Sequence, residues 1–94
     1  MSVLSRLRPK IVRILKKHKV RRAGIFGSFA RGEQKKRSDV DILVEAPKGT
    51  GLLGLARMEL DLESAIGRKV DLLTYRSIHP LLKRRILSEE VPIL

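Results

Sequence analysis

Hydrophobic residues near the start of the chain recur at intervals of three and four. This spacing predicts an amphipathic helix from about Ser2 to His18, with the basic residues facing solvent. Its apolar stripe consists of Leu4, Leu7, Ile11, Ile14 and Leu15. Because a proline breaks or kinks a helix interior, Pro9 indicates that the regular part of this helix begins near Arg8.

Three later stretches have the pattern of strands. The first is the short apolar run from Val20 to Phe26, after which a short helix is expected from Ser28. A polar loop, Gly32 to Arg37, precedes a segment from Asp39 to Glu45 in which apolar and acidic residues alternate. That period of two is typical of a strand and puts the carboxylates of its first and third residues on one face. The third candidate strand is Val70 to Thr74.

Two further helices are indicated. The loop Ala46 to Gly51 leads into a helix from Leu52 to Ile66, which Gly67 is suited to end. The apolar positions of that helix are Leu52, Leu55, Met58, Leu62, Ala65 and Ile66. A last helix runs from Pro80 to Glu89, with the proline in its first turn, and Val91 to Leu94 is a short extended segment. Helices alternating with short strands favour an α/β or α+β architecture, a small sheet covered by helices.

Composition narrows the class of protein. Ninety-four residues are enough for one domain, so residues 1–94 are expected to form a single unit. With one Tyr, two Phe and no Trp, the core must be aliphatic, and surfaces for stacking bases are nearly absent. The lack of cysteine excludes disulfides and thiolate metal sites and favours an intracellular, cytoplasmic protein. Its apolar runs are far shorter than the roughly 20 residues that span a bilayer, so we expect a soluble protein without a membrane partner.

Positive charge is concentrated at the start of the chain. The net charge is +11, and the first 22 residues hold nine Lys or Arg and no acid, which leaves +2 for the rest. A transit peptide can have this composition, but its removal would strip a core helix from a small domain. A second basic run at Lys35, Lys36 and Arg37 makes a nucleic-acid-binding module an alternative function, although such runs are usually solvated faces.

Candidate chemistry begins at Gly27 and Ser28. A Gly-Ser pair between a strand and a helix leaves backbone N–H groups free, adds a hydroxyl donor and lets a phosphate approach closely. The same pair is often only a turn and a helix cap.

Asp39 and Asp41 are the stronger indication. Two residues along a strand span about 6.6 Å, so their carboxylates form a possible metal clamp. At an effective dielectric near 20 the two charges repel by about 3 kcal/mol, which a divalent cation would relieve. Oxygen ligands that leave room for phosphates favour Mg²⁺ or Mn²⁺. The alternative is two solvated acids at the end of a strand, with Ser38 as a cap.

Asp71 interrupts the apolar pattern of a strand that we expect to be interior, so its carboxylate needs a partner. It could pair with Arg68 or Arg76. If its strand instead lies beside that of Asp39 and Asp41, three carboxylates converge, enough to hold two metals and to accept a proton from an attacking hydroxyl.

Together these residues resemble the signature of the minimal nucleotidyltransferases, small members of the DNA polymerase β-like nucleotidyltransferase superfamily. That signature is G-S-x-A-x-G, a variable loop, S-D-x-D and a third Asp on a later strand. Its residues here are Gly27, Ser28, Ala30, Gly32, Ser38, Asp39, Asp41 and Asp71. The resemblance spans nearly the whole chain and implies the minimal version of the nucleotidyltransferase fold, with a small mixed β-sheet flanked by helices.

The resemblance also implies an activity. Gly27 and Ser28 would hold the triphosphate of ATP, while the three aspartates bind Mg²⁺ or Mn²⁺ and Asp71 helps to activate the acceptor hydroxyl. Arg31 and Ser38 are candidates for further nucleotide contacts, and the alternative for Arg31 is a solvent-facing arginine on its helix. In-line attack on the α-phosphate would release pyrophosphate and leave AMP on the acceptor. In the minimal family the usual partner is a HEPN-domain protein. The pair is similar to a toxin–antitoxin module in which the enzyme, as antitoxin, adds AMP to a tyrosine of the toxin.

Several residues stand outside this resemblance. Phe29 occupies a position where family members often carry a polar or basic residue, so no phosphate contact is expected from it. His18 and His79, at helix ends, are expected to be caps or surface residues, and Tyr75 to pack rather than to be modified. A catalytically inactive interaction partner is a further alternative, which the presence of all three aspartates disfavours.

Overall fold

The computed structural model describes residues 3–94, and helices and strands alternate along them as the sequence predicts. Its elements are α1 (Val3–Lys17), β1 (Arg22–Phe26), α2 (Gly27–Arg31), β2 (Val40–Glu45), α3 (Gly51–Ile66), β3 (Val70–Thr74), a 3₁₀ turn (Tyr75–Ser77), α4 (Pro80–Glu89) and β4 (Val91–Pro92).

The strands form one mixed sheet in the order β3-β2-β1-β4. β1 pairs antiparallel with both β2 and β4, whereas β2 and β3 run parallel and are joined by the crossover helix α3. The predicted fold class, a small mixed sheet flanked by helices, is therefore confirmed. The strand order comes from pairings between residues far apart in the sequence, which periodicity does not encode.

The core lies between one face of the sheet and helices α1 and α3. Alternate residues of β2, namely Val40, Ile42 and Val44, are fully buried on that face. Ile11 and Leu15 of α1 are also fully buried, as the helical stripe predicts. The other members of this core, all aliphatic apart from Phe29 and Met58, are Leu7, Val20, Ala23, Ile25, Phe29, Met58, Leu62, Ile66, Val70 and Ile93. The opposite face of the sheet carries Asp41 and Asp71. Packing of the core against one face therefore holds the strands that position these two aspartates on the other.

Helix α1 begins before Pro9 and continues through it. The expected start near Arg8 is wrong, because α1 already runs from Val3 and holds Pro9 in its interior, while the predicted start at Ser2 lies outside the described residues. Pro9 is exposed, whereas Leu7 before it and Ile11 after it are buried. Packing of these side chains outweighs the loss of one backbone donor at the proline.

One other boundary and one burial prediction are also wrong. Val20 is buried but belongs to the turn that ends α1, since its N–H donates to the carbonyl of Leu15 at 3.0 Å, and β1 starts only at Arg22. Leu52 has the spacing of a core residue but is 86% exposed, because it lies in the first turn of α3, beyond the core. Gly67 ends α3 in the left-handed conformation, as expected.

The expectation that Asp71 lies in an interior strand is also wrong, because β3 is at the edge of the sheet. Helix α3 covers the backbone of this edge: Val70 N–H donates to the Glu63 carboxylate at 2.9 Å, and Leu72 N–H donates to that of Glu59 at 3.3 Å. An edge strand whose N–H groups are satisfied in this way can carry apolar residues without pairing with another chain.

No helix within residues 3–94 is long and apolar enough to cross a membrane.

Candidate active site

Asp41 and Asp71 are neighbours on adjacent strands. In the parallel pair of β2 and β3 they are register partners, so both side chains point to the same face of the sheet. Asp39 lies one residue before β2 and is close enough to Asp41 to act on its charge. The structure thus brings together the three predicted carboxylates at one end of the sheet. Within residues 3–94 no ion pair joins Asp71 to Arg68 or Arg76, the alternative partners considered for it.

The surroundings of Asp41 disfavour its ionised form. Its burial, followed by repulsion from Asp71 and Asp39, raises its pKa to about 6, and Arg31 offsets part of this rise. Burial and like charge both disfavour the ionised form of a carboxylate. A carboxylate whose pKa is raised by burial and by neighbouring carboxylates is typical of a functional site.

Gly27 is the backbone position that makes room for Asp41. Its φ is +71°, which residues with a side chain rarely adopt, and a Cβ there would overlap the Asp41 carboxylate, with the carboxylate Cγ only 3.0 Å away. Because Gly27 opens α2 directly after β1, the strand-to-helix turn lies against the carboxylate cluster. The G-S turn and the aspartates therefore form one continuous surface.

Ser28 and Arg31, on the short helix α2, differ in their side-chain hydrogen bonds. Within the described chain the structure shows no hydrogen bond from the Ser28 hydroxyl, which remains available at the turn. The Arg31 guanidinium instead donates to Glu33 at 3.2 Å and to Glu89 of α4 at 3.1 Å. The hydrogen bond to Glu89, opposed in part by desolvation, raises the pKa of Arg31 above its ordinary value. Arg31 ties α2 to α4 and still acts electrostatically on Asp41.

Ser38 closes the loop that leads to Asp39. Its hydroxyl accepts a hydrogen bond from Lys35 N–H at 2.7 Å, and its own N–H donates to the Lys35 carbonyl at 3.0 Å. The loop is also held by Arg68, whose guanidinium donates to the Lys36 carbonyl at 3.1 Å. These contacts fix the direction in which the chain enters β2.

Phe29 is a core residue and not a ligand of the site. Its side chain is 3% exposed, and the Arg68 guanidinium lies 5.4 Å from its ring centre. The absence of a polar side chain at this position is thus explained by packing, in line with the expectation that it makes no phosphate contact.

Glu59 and Glu63 were missed by the sequence reasoning. They hold the backbone of the strand that carries Asp71 and so position its carboxylate. The signal was present as two acids four residues apart on α3, each next to a buried residue of the core, Met58 or Leu62. Their partners are backbone groups of another element, which a sequence pattern does not name.

The remaining singled-out residues lie outside the carboxylate cluster. His79 caps α4 by accepting from Leu81 N–H at 3.1 Å, as predicted. His18 is only 18% exposed and lies 2.7 Å from the Asp61 carboxylate, so it joins α1 to α3. The Tyr75 hydroxyl donates a hydrogen bond to the Glu90 carboxylate, and the Arg22 guanidinium lies 4.1 Å from the centre of the Tyr75 ring. Its packing role is therefore what the structure shows.

The chemistry of the donors fits a divalent cation. All three groups are carboxylates, the ligand type that Mg²⁺ and Mn²⁺ prefer, and the raised pKa of Asp41 reflects a repulsion that a cation would relieve. Within residues 3–94, however, no three His, Cys, Asp or Glu side chains already form a metal cage. Binding would therefore require the aspartate side chains to turn toward one another.

Comparison with known proteins identifies what this arrangement is similar to. The model of the nucleotidyltransferase domain family matches residues 8–94. A Methanocaldococcus jannaschii protein, provisionally named a protein adenylyltransferase, is 56% identical over 91 residues, which cover 97% of this chain and 98% of that protein.

Solved structures agree in fold. One, described as a minimal nucleotidyltransferase, has a TM-score of 0.83 and 36% identity and covers 98% of this chain and 96% of its own. Another, a toxin–antitoxin complex with AMP-PNP, has a TM-score of 0.82 and 27% identity over 93% of this chain and 72% of its own.

Proposed function

This chain belongs to the nucleotidyltransferase domain family, and from that premise we propose that it transfers AMP from ATP to a hydroxyl group of a partner protein. The nucleotidyltransferase activity itself follows from the family. The choice of AMP is supported by the provisional name of its relative in M. jannaschii and by the AMP-PNP bound in a structure of the same fold. The observation that carries the proposal is the side-by-side pair of Asp41 and Asp71 next to the glycine turn.

Each residue of the site has a proposed role. Gly27, which has no side chain, lets the triphosphate approach the backbone of the strand-to-helix turn, and the Ser28 hydroxyl donates to one of its oxygens. Asp39, Asp41 and Asp71 hold the divalent cation. When bound, Mg²⁺ or Mn²⁺ would neutralise phosphate charge and orient the α-phosphate for in-line attack. Arg31 and Ser38 are proposed nucleotide contacts at the edges of the same surface.

Asp71 is the proposed proton acceptor. Asp71 lies on the edge strand, where its side chain is exposed. The hydroxyl group that is to receive AMP can therefore approach it directly from another molecule. Loss of the hydroxyl proton to a carboxylate lets the oxygen attack the α-phosphate, and pyrophosphate leaves. The new bond joins the acceptor oxygen to AMP.

We further propose that the acceptor is a tyrosine of a HEPN-domain toxin and that this chain acts as its antitoxin in the cytoplasm, where ATP is available. The structural neighbour with AMP-PNP, itself a toxin–antitoxin complex, supports the antitoxin role, while the HEPN partner and the tyrosine acceptor follow from the family resemblance. A single domain made of residues 1–94 would then supply the catalytic half of a two-protein system.

The test is to incubate the purified chain with Mg²⁺, α-labelled ATP and a HEPN protein encoded beside it. We expect label on the partner, located on tyrosine by mass spectrometry. Label on serine or threonine would overturn the choice of acceptor, and label from another nucleotide in preference to ATP would overturn the choice of AMP. No transfer of any nucleotide and no nucleotide binding would overturn the enzymatic proposal.

A further inference from the structure

A basic cavity lies at the end of the sheet opposite the carboxylates. Its volume is about 620 Å³, and its lining includes Glu45, the last residue of β2. Asp41 is four residues earlier on that strand, so the two ends are separated by about 13 Å. A cavity of this size is within the range of small-molecule sites, and it is not part of the surface that holds the aspartates.

Four cationic side chains line this cavity against one carboxylate. They come from three separate parts of the chain: Lys19 and Arg21 follow α1, Lys48 is in the loop before α3, and Arg76 is in the 3₁₀ turn. Within residues 3–94, none of the four is within 4.0 Å of a carboxylate oxygen as an ion pair. Cations gathered around a concavity without partners repel one another and focus a positive field into it.

The backbone conformation of Lys19 is a second indication that the cavity has a function. Lys19 ends α1 in a Schellman motif, in which its own N–H donates to the Lys16 carbonyl and Val20 N–H donates to the Leu15 carbonyl, both at 3.0 Å. The left-handed position of that motif normally holds glycine. Lys19 occupies it with φ of 62°, and within residues 3–94 it is the one residue other than glycine with positive φ. Glycine would adopt this conformation with less strain than lysine, and the strained lysine is one of the residues that line the cavity.

We propose that this cavity binds an anion carrying several phosphates. Lys and Arg side chains from three segments can each take a different phosphate oxygen, and Glu45 leaves a net charge of +3 on the lining. The cavity lining contains no aromatic residue on which a base could stack, so recognition depends on phosphate and not on base identity. Two sources share this chemistry, the backbone of a single-stranded oligonucleotide and a free polyphosphate chain.

The test compares tripolyphosphate with a labelled single-stranded oligonucleotide that has no terminal phosphate. Both are titrated onto the full chain in low salt with a chelator, which keeps divalent cations away from the aspartates. The test variant is Lys19→Gly with Arg76→Gln, and its control is Lys83→Gln with Arg84→Gln on α4, which removes the same charge from exposed positions outside the cavity. Since glycine suits position 19, the test variant should unfold at the wild-type temperature or above it.

We expect the test variant to lose at least about tenfold in affinity and the control less than about twofold. With the oligonucleotide, the slope of log affinity against log salt should become shallower by about 1.4, or 0.7 for each contact removed. Binding of tripolyphosphate alone identifies a free polyphosphate as the source, and binding of the oligonucleotide alone identifies a nucleic-acid strand. Equal losses in both variants, or no binding of either probe to the wild-type chain, would overturn the proposal.

Discussion

Asp41 and Asp71 occupy matched positions on two parallel strands, with their carboxylates on the same face of the sheet. Asp41 is the partly buried member of the pair and Asp71 the exposed one. The fold thus places a carboxylate that ionises reluctantly beside one that meets solvent, and Gly27, which has no side chain, leaves room for the Asp41 carboxylate. Several measurable properties depend on this relationship.

The first prediction concerns pH and stability without divalent cations. The pKa of Asp41 is raised from 3.8 to about 6, so the folded state keeps a proton that the unfolded state has lost. The contribution of Asp41 to stability is therefore complete below pH 3.8 and is lost as the pH rises to about 6. Asp41→Asn should become increasingly more stable than the wild type over that interval, as measured by urea unfolding at each pH.

Asp61→Asn is the control, because the hydrogen bond with His18 lowers the pKa of Asp61. Ionised Asp61 stabilises the fold, so this variant should be the less stable one at neutral pH, and the difference should shrink as the pH falls. Parallel behaviour of the two variants would contradict the electrostatic account of Asp41.

A second prediction concerns the glycine turn. Gly27→Ala places a Cβ against the Asp41 carboxylate and also forces a φ of +71° on alanine. Gly32→Ala has the same φ of +71° but meets no atom within 4 Å, so it isolates the backbone effect. We expect Gly32→Ala to cost about 1 kcal/mol in unfolding free energy and Gly27→Ala about 1–3 kcal/mol more. Equal costs in urea unfolding would show that the Asp41 carboxylate does not occupy this space.

Glu63 gives a prediction about positioning. Its carboxylate accepts from Val70 N–H, next to Asp71, so Glu63→Ala leaves a partly buried donor unpaired. The cost should be about 1–2 kcal/mol, accompanied by slower transfer, because Asp71 loses its fixed position. Glu63→Gln keeps an acceptor and should recover most of both quantities. If neither variant changes the transfer rate while both change stability, Glu63 has a structural role only.

A fourth prediction distinguishes a packing role of Tyr75 from a role as a modification site. Burial, together with the hydrogen bond to Glu90, raises the pKa of the Tyr75 hydroxyl, which keeps it protonated and engaged. Glu90 in turn lies over Gly24, where any Cβ would overlap its side chain. Tyr75→Phe should lower the unfolding free energy by about 0.5–1.5 kcal/mol and leave transfer to the partner unchanged. Finding AMP on Tyr75 of the wild-type chain by mass spectrometry would contradict the packing role.

Local pattern was sufficient for most elements. The alternation from Asp39 to Glu45 identified β2 and the shared face of its acids, and Gly67 marked the end of α3, because these signals act within a few residues. Where tertiary packing opposes a local rule, the rule failed. Pro9 lies inside α1 since residues on both sides of it are buried, and Leu52 is exposed although its spacing is helical.

The sequence predicted the residues of the candidate site but not how they are brought together. The identities of the three aspartates and of Gly27 came from the sequence, but the decision between an isolated and a clustered Asp71 depended on β3 lying beside β2. That pairing joins segments about 30 residues apart through a crossover helix. The contacts of Glu59, Glu63 and Arg68 with backbone groups are likewise set by three-dimensional proximity, since backbone groups look alike in every sequence.

The most direct test of the central claim is the rate of AMP transfer to the HEPN partner in Mg²⁺ for wild type, Asp41→Asn and Asp71→Asn, with Asp61→Asn as a control that removes the same charge elsewhere. Removing a carboxylate from the site should forfeit several kcal/mol of transition-state stabilisation, which is roughly a 100-fold loss of rate or more, while the folded structure persists. Asp61→Asn should retain the wild-type rate at a temperature where it is folded. Transfer at the wild-type rate by folded Asp41→Asn or Asp71→Asn would contradict the assignment of this carboxylate cluster as the active site.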